Sequence, residues 1–307
     1  MNILKKMVCI LLGIIGIHTI QAEIITYPAE VTPGSWLCFR KDISVGKDAS
    51  HNLLKIAADS KYWLWINGEL IVREGNLKRG PNPKDTYCDI LRDVKGLVSG
   101  RNTIALLVWY FGKDGFSHRN SPTAGVSVDL TIGKQRYISD DSWKVSIHPS
   151  FYIPNGINPN YRLPESNIGF NAQKEVAFWD KDFDDALWQD AKVIKKELSG
   201  WNQLVERPIP MWKDYGLKDY VKVERKSDTL FVAYLPYNAQ VNPYIKLKAK
   251  VGEIIDIRTD NYCGGGTPNV YAEYITKNGI QEFEAWGWMN GHQVLYTCLL
   301  YTSPSPR

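Results

Sequence analysis

The sequence predicts an all-β chain built from two successive antiparallel sandwiches. Three observations carry that expectation. Short apolar runs of strand length alternate with clusters of Gly, Pro, Asn and Asp along most of the 307 residues. Asn-Gly stands twice between such runs, at Asn67-Gly68 and Asn278-Gly279, and this dipeptide favours a tight hairpin because both central positions need φ > 0. No run of paired amphipathic helices appears.

Taken in order, Lys61–Glu74 (KYWLWINGELIVRE) is the clearest hairpin. Tyr62, Leu64 and Ile66 alternate with Trp63 and Trp65 before the Asn-Gly turn. Asn102–Phe111 is a continuous apolar run of a buried strand, and Gly125–Ile132 alternates as a strand with two unlike faces. Ser142–Ile147 is a shorter strand. Tyr87–Val94 and Asp180–Val193 are expected to form short helical turns, the second with Asp as its cap. Pro149–Asn171, rich in Pro, Asn and Gly, reads as a long ordered loop. Pro208 and Pro210 stiffen a linker, after which a second β pattern begins: Thr229–Tyr237, Asn242–Asn261 and Asn269–Tyr296. In the last of these Glu282, Glu284, Trp286 and Trp288 share one face, and Phe283, Ala285 and Gly287 share the other.

The first 22 residues form a separate unit. Lys5 and Lys6 precede an apolar run, Met7–Ile17, and Ile20–Ala22 offers a small residue for cleavage. This is the pattern of a secretory signal peptide. No other run approaches the roughly 18 apolar residues of a membrane span, so a secreted or periplasmic location without membrane attachment is expected. Cleavage removes two lysines and no acid, so the formal charge falls from +4 to +2. So balanced a charge gives no footprint for nucleic acid. The cysteines, Cys9, Cys38, Cys88, Cys263 and Cys298, are scattered, and fit neither a disulfide framework nor a CxxC metal site.

The chemistry legible in the sequence is that of binding. Cys263–Asn269 (CGGGTPN) lacks the Lys-Ser/Thr of a phosphate loop. His51, His118, His148 and His292 show no ligand spacing. No cofactor or metal is therefore expected, and calcium held by loop oxygens has no motif behind it. Asp256, Asp260, Glu273, Glu282 and Glu284 are the carboxylates on which glycosidase chemistry would have to draw. Acids sharing a strand face are the ordinary mark of a solvated surface, and the two Trp beside Glu282 and Glu284 suit packing against a partner domain. The best ligand signal lies in two loops, Gly75–Tyr87 and Trp109–Asn120, which mix aromatic rings with planar polar groups able to grip sugar hydroxyls. Their candidates are Arg79, Trp109, Tyr110, Asp114 and His118.

These same residues carry a family resemblance. YWLWINGELIVREGNLKRGPNPKDTY and GRNTIALLVWYFGKDGFSH, with the Arg79-Gly80-Pro81 triplet and the Gly100–Ala105 step, resemble the N-terminal sandwich of bacterial α-L-rhamnosidases, family 78 of the glycoside hydrolases. PNYRLPESNIGFNA and EIIDIRTDNYCGGGTPNVYAEYITKNGIQEFEAWGWMNGHQVLY resemble the long secreted members found in Bacteroidetes. The resemblance implies a galactose-binding-like jelly roll over residues 23–207 and a second, truncated β-sandwich over 208–297. In the family an (α/α)6 barrel follows and hydrolyses terminal α-L-rhamnosides with inversion, one Glu as acid and another as base. No catalytic residue is carried over to this chain. The implied partners are a rhamnose-containing glycan and the barrel itself, which Asp260 and Trp288 are expected to face. Residues 298–307 (CLLYTSPSPR) break the alternation and read as a foreign tail. A stand-alone carbohydrate-binding module and the front of another exo-glycosidase, such as a β-galactosidase, are the alternatives.

Overall fold

The computed structural model describes residues 22–47, 49–77, 82, 85–116, 118–154, 163–260 and 270–299. The signal-peptide core, Arg79, the glycine-rich loop and residues 300–307 lie outside them.

Eight strands build the first sandwich: β1 (Ile24–Thr26), β2 (Trp36–Val45), β3 (Asn52–Ala58), β4 (Lys61–Ile66), β5 (Glu69–Asn76), β6 (Thr86–Arg92), β7 (Gly100–Trp109) and β8 (Val126–Ile132). They form two sheets in the orders β1-β8-β3-β6 and β2-β7-β4-β5. This is the strand order of an eight-stranded jelly roll, so the expected topology is met. At the β4–β5 turn Asn67 and Gly68 have φ of 51° and 86°, the backbone that Asn-Gly was expected to supply. Period-two alternation decides what each face meets. Tyr62, Leu64 and Ile66 of β4 enter the core with Leu37, Phe39, Leu54, Ile56, Leu106 and Val108. Trp63 and Trp65 point the other way, with Trp36 and Trp109, and are buried too.

The returning chain widens both sheets. β9 (Gln135–Ile138) pairs with β8, and β10 (Lys144–Ile147) flanks β2. β11 (Phe151–Tyr152) and β12 (Ile168–Asn171) leave the jelly roll, and β12 lies parallel to a strand more than a hundred residues further on. β13 (Gln189–Asp190) and β14 (Lys192–Ile194) return to β10 and β1. After a single turn of helix, α1 (Lys196–Ser199), β15 (Leu204–Glu206) runs parallel to β6.

Three expectations are corrected here. The Tyr87–Val94 stretch is β6, not a helical turn, because β3 and β15 claim its backbone on either side. Asp180–Val193 forms turns and two short strands rather than a helix. The carbonyls of Phe178, Asp180 and Phe183, which a helix would use itself, accept from the buried Arg40 guanidinium. Pro149–Asn171 is not wholly loop: β11 and β12 form the edge of the second sheet system, so the two sandwiches do not divide cleanly at residues 207 and 208.

The second sandwich adds β16 (Lys222–Arg225), β17 (Leu230–Val241), β18 (Tyr244–Ala249), β19 (Ile254–Thr259), β20 (Tyr271–Ile275), β21 (Gly279–Glu284) and β22 (Met289–Leu299). Seven strands lie in the order β11-β12-β20-β19-β22-β17-β16, faced by the pair β18-β21. Asn278-Gly279 therefore does not close a hairpin. It carries the chain from β20 in one sheet to β21 in the other. β22 passes the expected end at Thr297, with Cys298 opposite Ile255 and Leu299 opposite Ile254. Its core gathers Phe170, Ile255, Ile257, Tyr274, Phe283 and Val294.

Candidate functional site

The outer face of the β2-β7-β4 sheet is where the two sandwiches meet. Trp36 lies flat against Trp109 at 4.6 Å and against Phe151 at 4.0 Å. Trp65 stacks on Trp179, and Trp286 of the second sandwich meets Trp63 edge-on at 5.2 Å. Edge-to-face and offset geometries of this kind add to simple area burial.

Lys61 opens β4 on that same face and is 1% exposed. Its ammonium lies 2.9 Å from Glu74 Oε1 and 3.9 Å from Glu165 Oε1. The rings of Trp109, Phe111 and Trp288 surround it at 5.8–5.9 Å. A buried ammonium is tolerable only when paired, and aromatic faces supply further negative potential. Glu165 comes from the β11–β12 connection and Trp288 from the second sandwich, so one cation ties three parts of the chain. Trp288, one of the residues expected to face a catalytic barrel, lies over Lys61.

Beside Lys61 lies a second buried cluster. Asp59 accepts from the Ser121 amide at 3.0 Å and from the Ser121 hydroxyl. His118 Nε2 stands 3.8 Å from Asp59, and its Nδ1 lies 2.6 Å from the Leu77 carbonyl. The Ser121 hydroxyl addresses the carboxylate rather than the imidazole, so no serine–histidine relay forms. Tyr110 donates to the Ser121 carbonyl at 2.9 Å. Asp114 accepts from the Asn120 amide and from Arg119. Those contacts, the amide first, hold its carboxyl below the usual range. The structure thus gathers Tyr110 and His118 around Ser121 and Asp59 as buried parts of a folded loop, whereas Trp109 ends β7 on the opposite, tryptophan face. Asp114 is exposed and closes that loop on itself.

The five candidate acids of the second sandwich are each engaged. Asp256 holds Arg258 through both carboxylate oxygens, and Arg258 stacks on Tyr271 at 4.3 Å. Asp260 caps the amides of His292 and Gln293 at 2.8 and 3.0 Å. Glu273 accepts from Tyr152 at 2.5 Å, Glu282 pairs with Lys246, and Glu284 pairs with Arg73 of the first sandwich. The pairing with Glu273 and, above all, burial push the Tyr152 phenol well up. Among the described residues no three His, Cys, Asp or Glu side chains converge as metal ligands.

Sequence reasoning missed Lys61, Arg40 and the Asp89–Arg207 pair. Arg207 Nε donates to Asp89 at 2.7 Å, and Tyr62 donates to the same carboxylate at 2.9 Å. The signal for Lys61 was its place on the Trp63–Trp65 face of an otherwise apolar strand.

No protein-family model and no curated protein sequence matches the chain. Solved structures do. The α-L-rhamnosidase from Dictyoglumus thermophilum matches with a TM-score of 0.68 at 20% identity, over 90% of this chain and 34% of its own. The α-L-rhamnosidase from Aspergillus terreus matches with a TM-score of 0.68 at 19% identity, over 92% and 34%. The GH78 family rhamnosidase of Bacillus sp. GL1 matches with a TM-score of 0.60 at 20% identity, over 90% and 33%. At such identities the likeness is one of fold. The chain spans about a third of the length of the structures it matches.

Proposed function

We propose that this chain is the N-terminal, non-catalytic portion of a secreted or periplasmic α-L-rhamnosidase of glycoside hydrolase family 78. The parent enzyme trims terminal α-L-rhamnosides from glycans with inversion, and its acid and base reside in an (α/α)6 barrel outside these residues. One observation carries the reading: nine tenths of the chain follows the fold of about a third of each of several rhamnosidases. The described residues agree with an accessory role. The candidate carboxylates Asp256, Asp260, Glu273, Glu282 and Glu284 are held in ion pairs, a turn cap and a hydrogen bond from a phenol, whereas an inverting glycosidase needs two held across a cleft with room for water. The tryptophan face then serves as a rigid joint between accessory domains.

The test has two parts. The 307-residue chain, incubated with an aryl α-L-rhamnoside, should give no turnover above solvent. The source reading frame, sequenced continuously across codon 297 and expressed in full, should release rhamnose from the same substrate. Turnover by the short chain would overturn the accessory role. Cleavage of an aryl β-galactoside but not the rhamnoside by the full product would overturn the substrate.

A further inference from the structure

Between β5 and β6, at the border of the jelly roll, lies a groove of about 320 Å3. Ile71, Ile90 and Leu91 give it an apolar floor, and the linker adds Met211 and Trp212. Arg73 and Arg92 bring two guanidinium groups to the lining. Their states differ. Arg73 is committed to Asp214 of the linker at 3.2 Å and to Glu284 of the second sandwich. Arg92 is exposed, and its guanidinium has no hydrogen bond or ion pair among the described residues. Trp212 is 55% exposed. The groove therefore sits where the first sandwich, the linker and the second sandwich come together, a placement common for ligand sites.

Each feature narrows the ligand. An indole beside an apolar floor suits the C–H face of a sugar ring. An unpaired guanidinium suits a carboxylate, which it can grip with two parallel hydrogen bonds. The volume is at the low end for ligand pockets, which fits a short saccharide. A neutral sugar would leave the Arg92 charge unused, and the near-neutral chain offers no field for a phosphate backbone. We propose that this groove binds an acidic saccharide, with a uronate carboxylate on Arg92 and a ring against Trp212. The proposal rests on the rhamnosidase reading only in expecting a glycan; the binding is a property of this chain.

The probe is digalacturonate, titrated calorimetrically into the full chain, with neutral galactobiose as the comparison. Saturable binding of digalacturonate is expected, with galactobiose at least about tenfold weaker. Arg92→Gln and Trp212→Ala should each weaken digalacturonate by about tenfold or more. Arg92 is exposed, so Arg92→Gln should keep the parent unfolding midpoint. No saturable binding, equal binding of the two disaccharides, or affinity untouched by Arg92→Gln would each overturn the site. These outcomes are independent of rhamnoside turnover. A failed groove leaves the rhamnosidase reading standing, and a failed rhamnoside assay leaves the groove standing.

Discussion

His148 is a buried imidazole at the joint, ringed by Phe151 at 4.8 Å and Phe178 at 5.7 Å. Its Nδ1 accepts the Ser150 amide at 3.2 Å, so the neutral ring is the one the fold uses. Burial lowers its pKa from 6.5 to about 4. Between those values the unfolded chain binds a proton that the folded chain refuses, so this contribution to stability is full above pH 6.5 and is lost as pH falls through 4. The loss is on the order of 3 kcal/mol. Urea unfolding from pH 7 to pH 4 should show it, and His148→Phe, which keeps a ring and removes the titration, should flatten that part of the profile. An unchanged slope in the variant would rule out His148 as the source. Lys61 contributes through its buried ion pair with Glu74. Replacing Lys61 by Met leaves the buried Glu74 carboxylate without its cation and should cost about 3–5 kcal/mol. Lys61→Met with Glu74→Gln should recover part of that loss, because the stranded charge is then gone as well. Chemical denaturation of both variants separates a paired charge from simple packing.

The β4–β5 hairpin shows what local sequence can specify. Its turn residues, alternation and buried inner face all pointed the same way. The φ of 86° at Gly68 is reserved for glycine, yet a methyl group there would meet only the Trp179 carbonyl at 3.9 Å. Gly68→Ala should therefore cost about 1–2 kcal/mol through backbone strain alone, read as a shift in denaturation midpoint at constant m-value. β6 shows the limit. Tyr87, Ile90, Leu91 and Val94 fall at helical spacing, and only the flanking β3 and β15 make the segment a strand. Asp180–Val193 departs from its expected helix for a similar reason, since its carbonyls are held by Arg40 from a strand about 140 residues earlier. The parallel β12–β20 pairing is as distant and left no local trace. Of the candidate ligand residues, Trp288 was legible as a packing residue through the side it shares with Glu282, Glu284 and Trp286. The Lys61 cage was not, because a lysine at a strand start is ordinarily solvated.

The two layers of the second sandwich are unequal, and that imbalance shapes how the whole chain should behave in solution. β21 sits over β20, where Tyr274 stacks on Phe283 at 4.6 Å. β18 sits over β22, where Tyr296 donates to the Tyr244 carbonyl at 2.8 Å. Nothing among the described strands lies beside β18 on its other edge. Further along the same inner face, Val223 pairs with the core residue Ala233 yet is 57% exposed. A half-open apolar trough next to a bare strand edge is a place for self-association. Lys222, Arg225, Lys226 and Lys246 around it are paired with Glu224, Asp228 and Glu282, and with Lys248 these five cations outnumber the three acids and oppose self-association. Two copies meeting β18 to β18 would set lysine against lysine, and like charges placed opposite each other destabilise a strand pair. Salt decides between these effects, because the screening length falls from about 10 Å at 0.1 M to about 3 Å at 1 M. The chain should sediment as a monomer at low salt and associate as salt rises. Val223→Lys, which puts a charge on the trough floor, should remain monomeric at 1 M salt. Sedimentation velocity at both ionic strengths checks this, and association that ignores either salt or the substitution would place the sticky surface elsewhere.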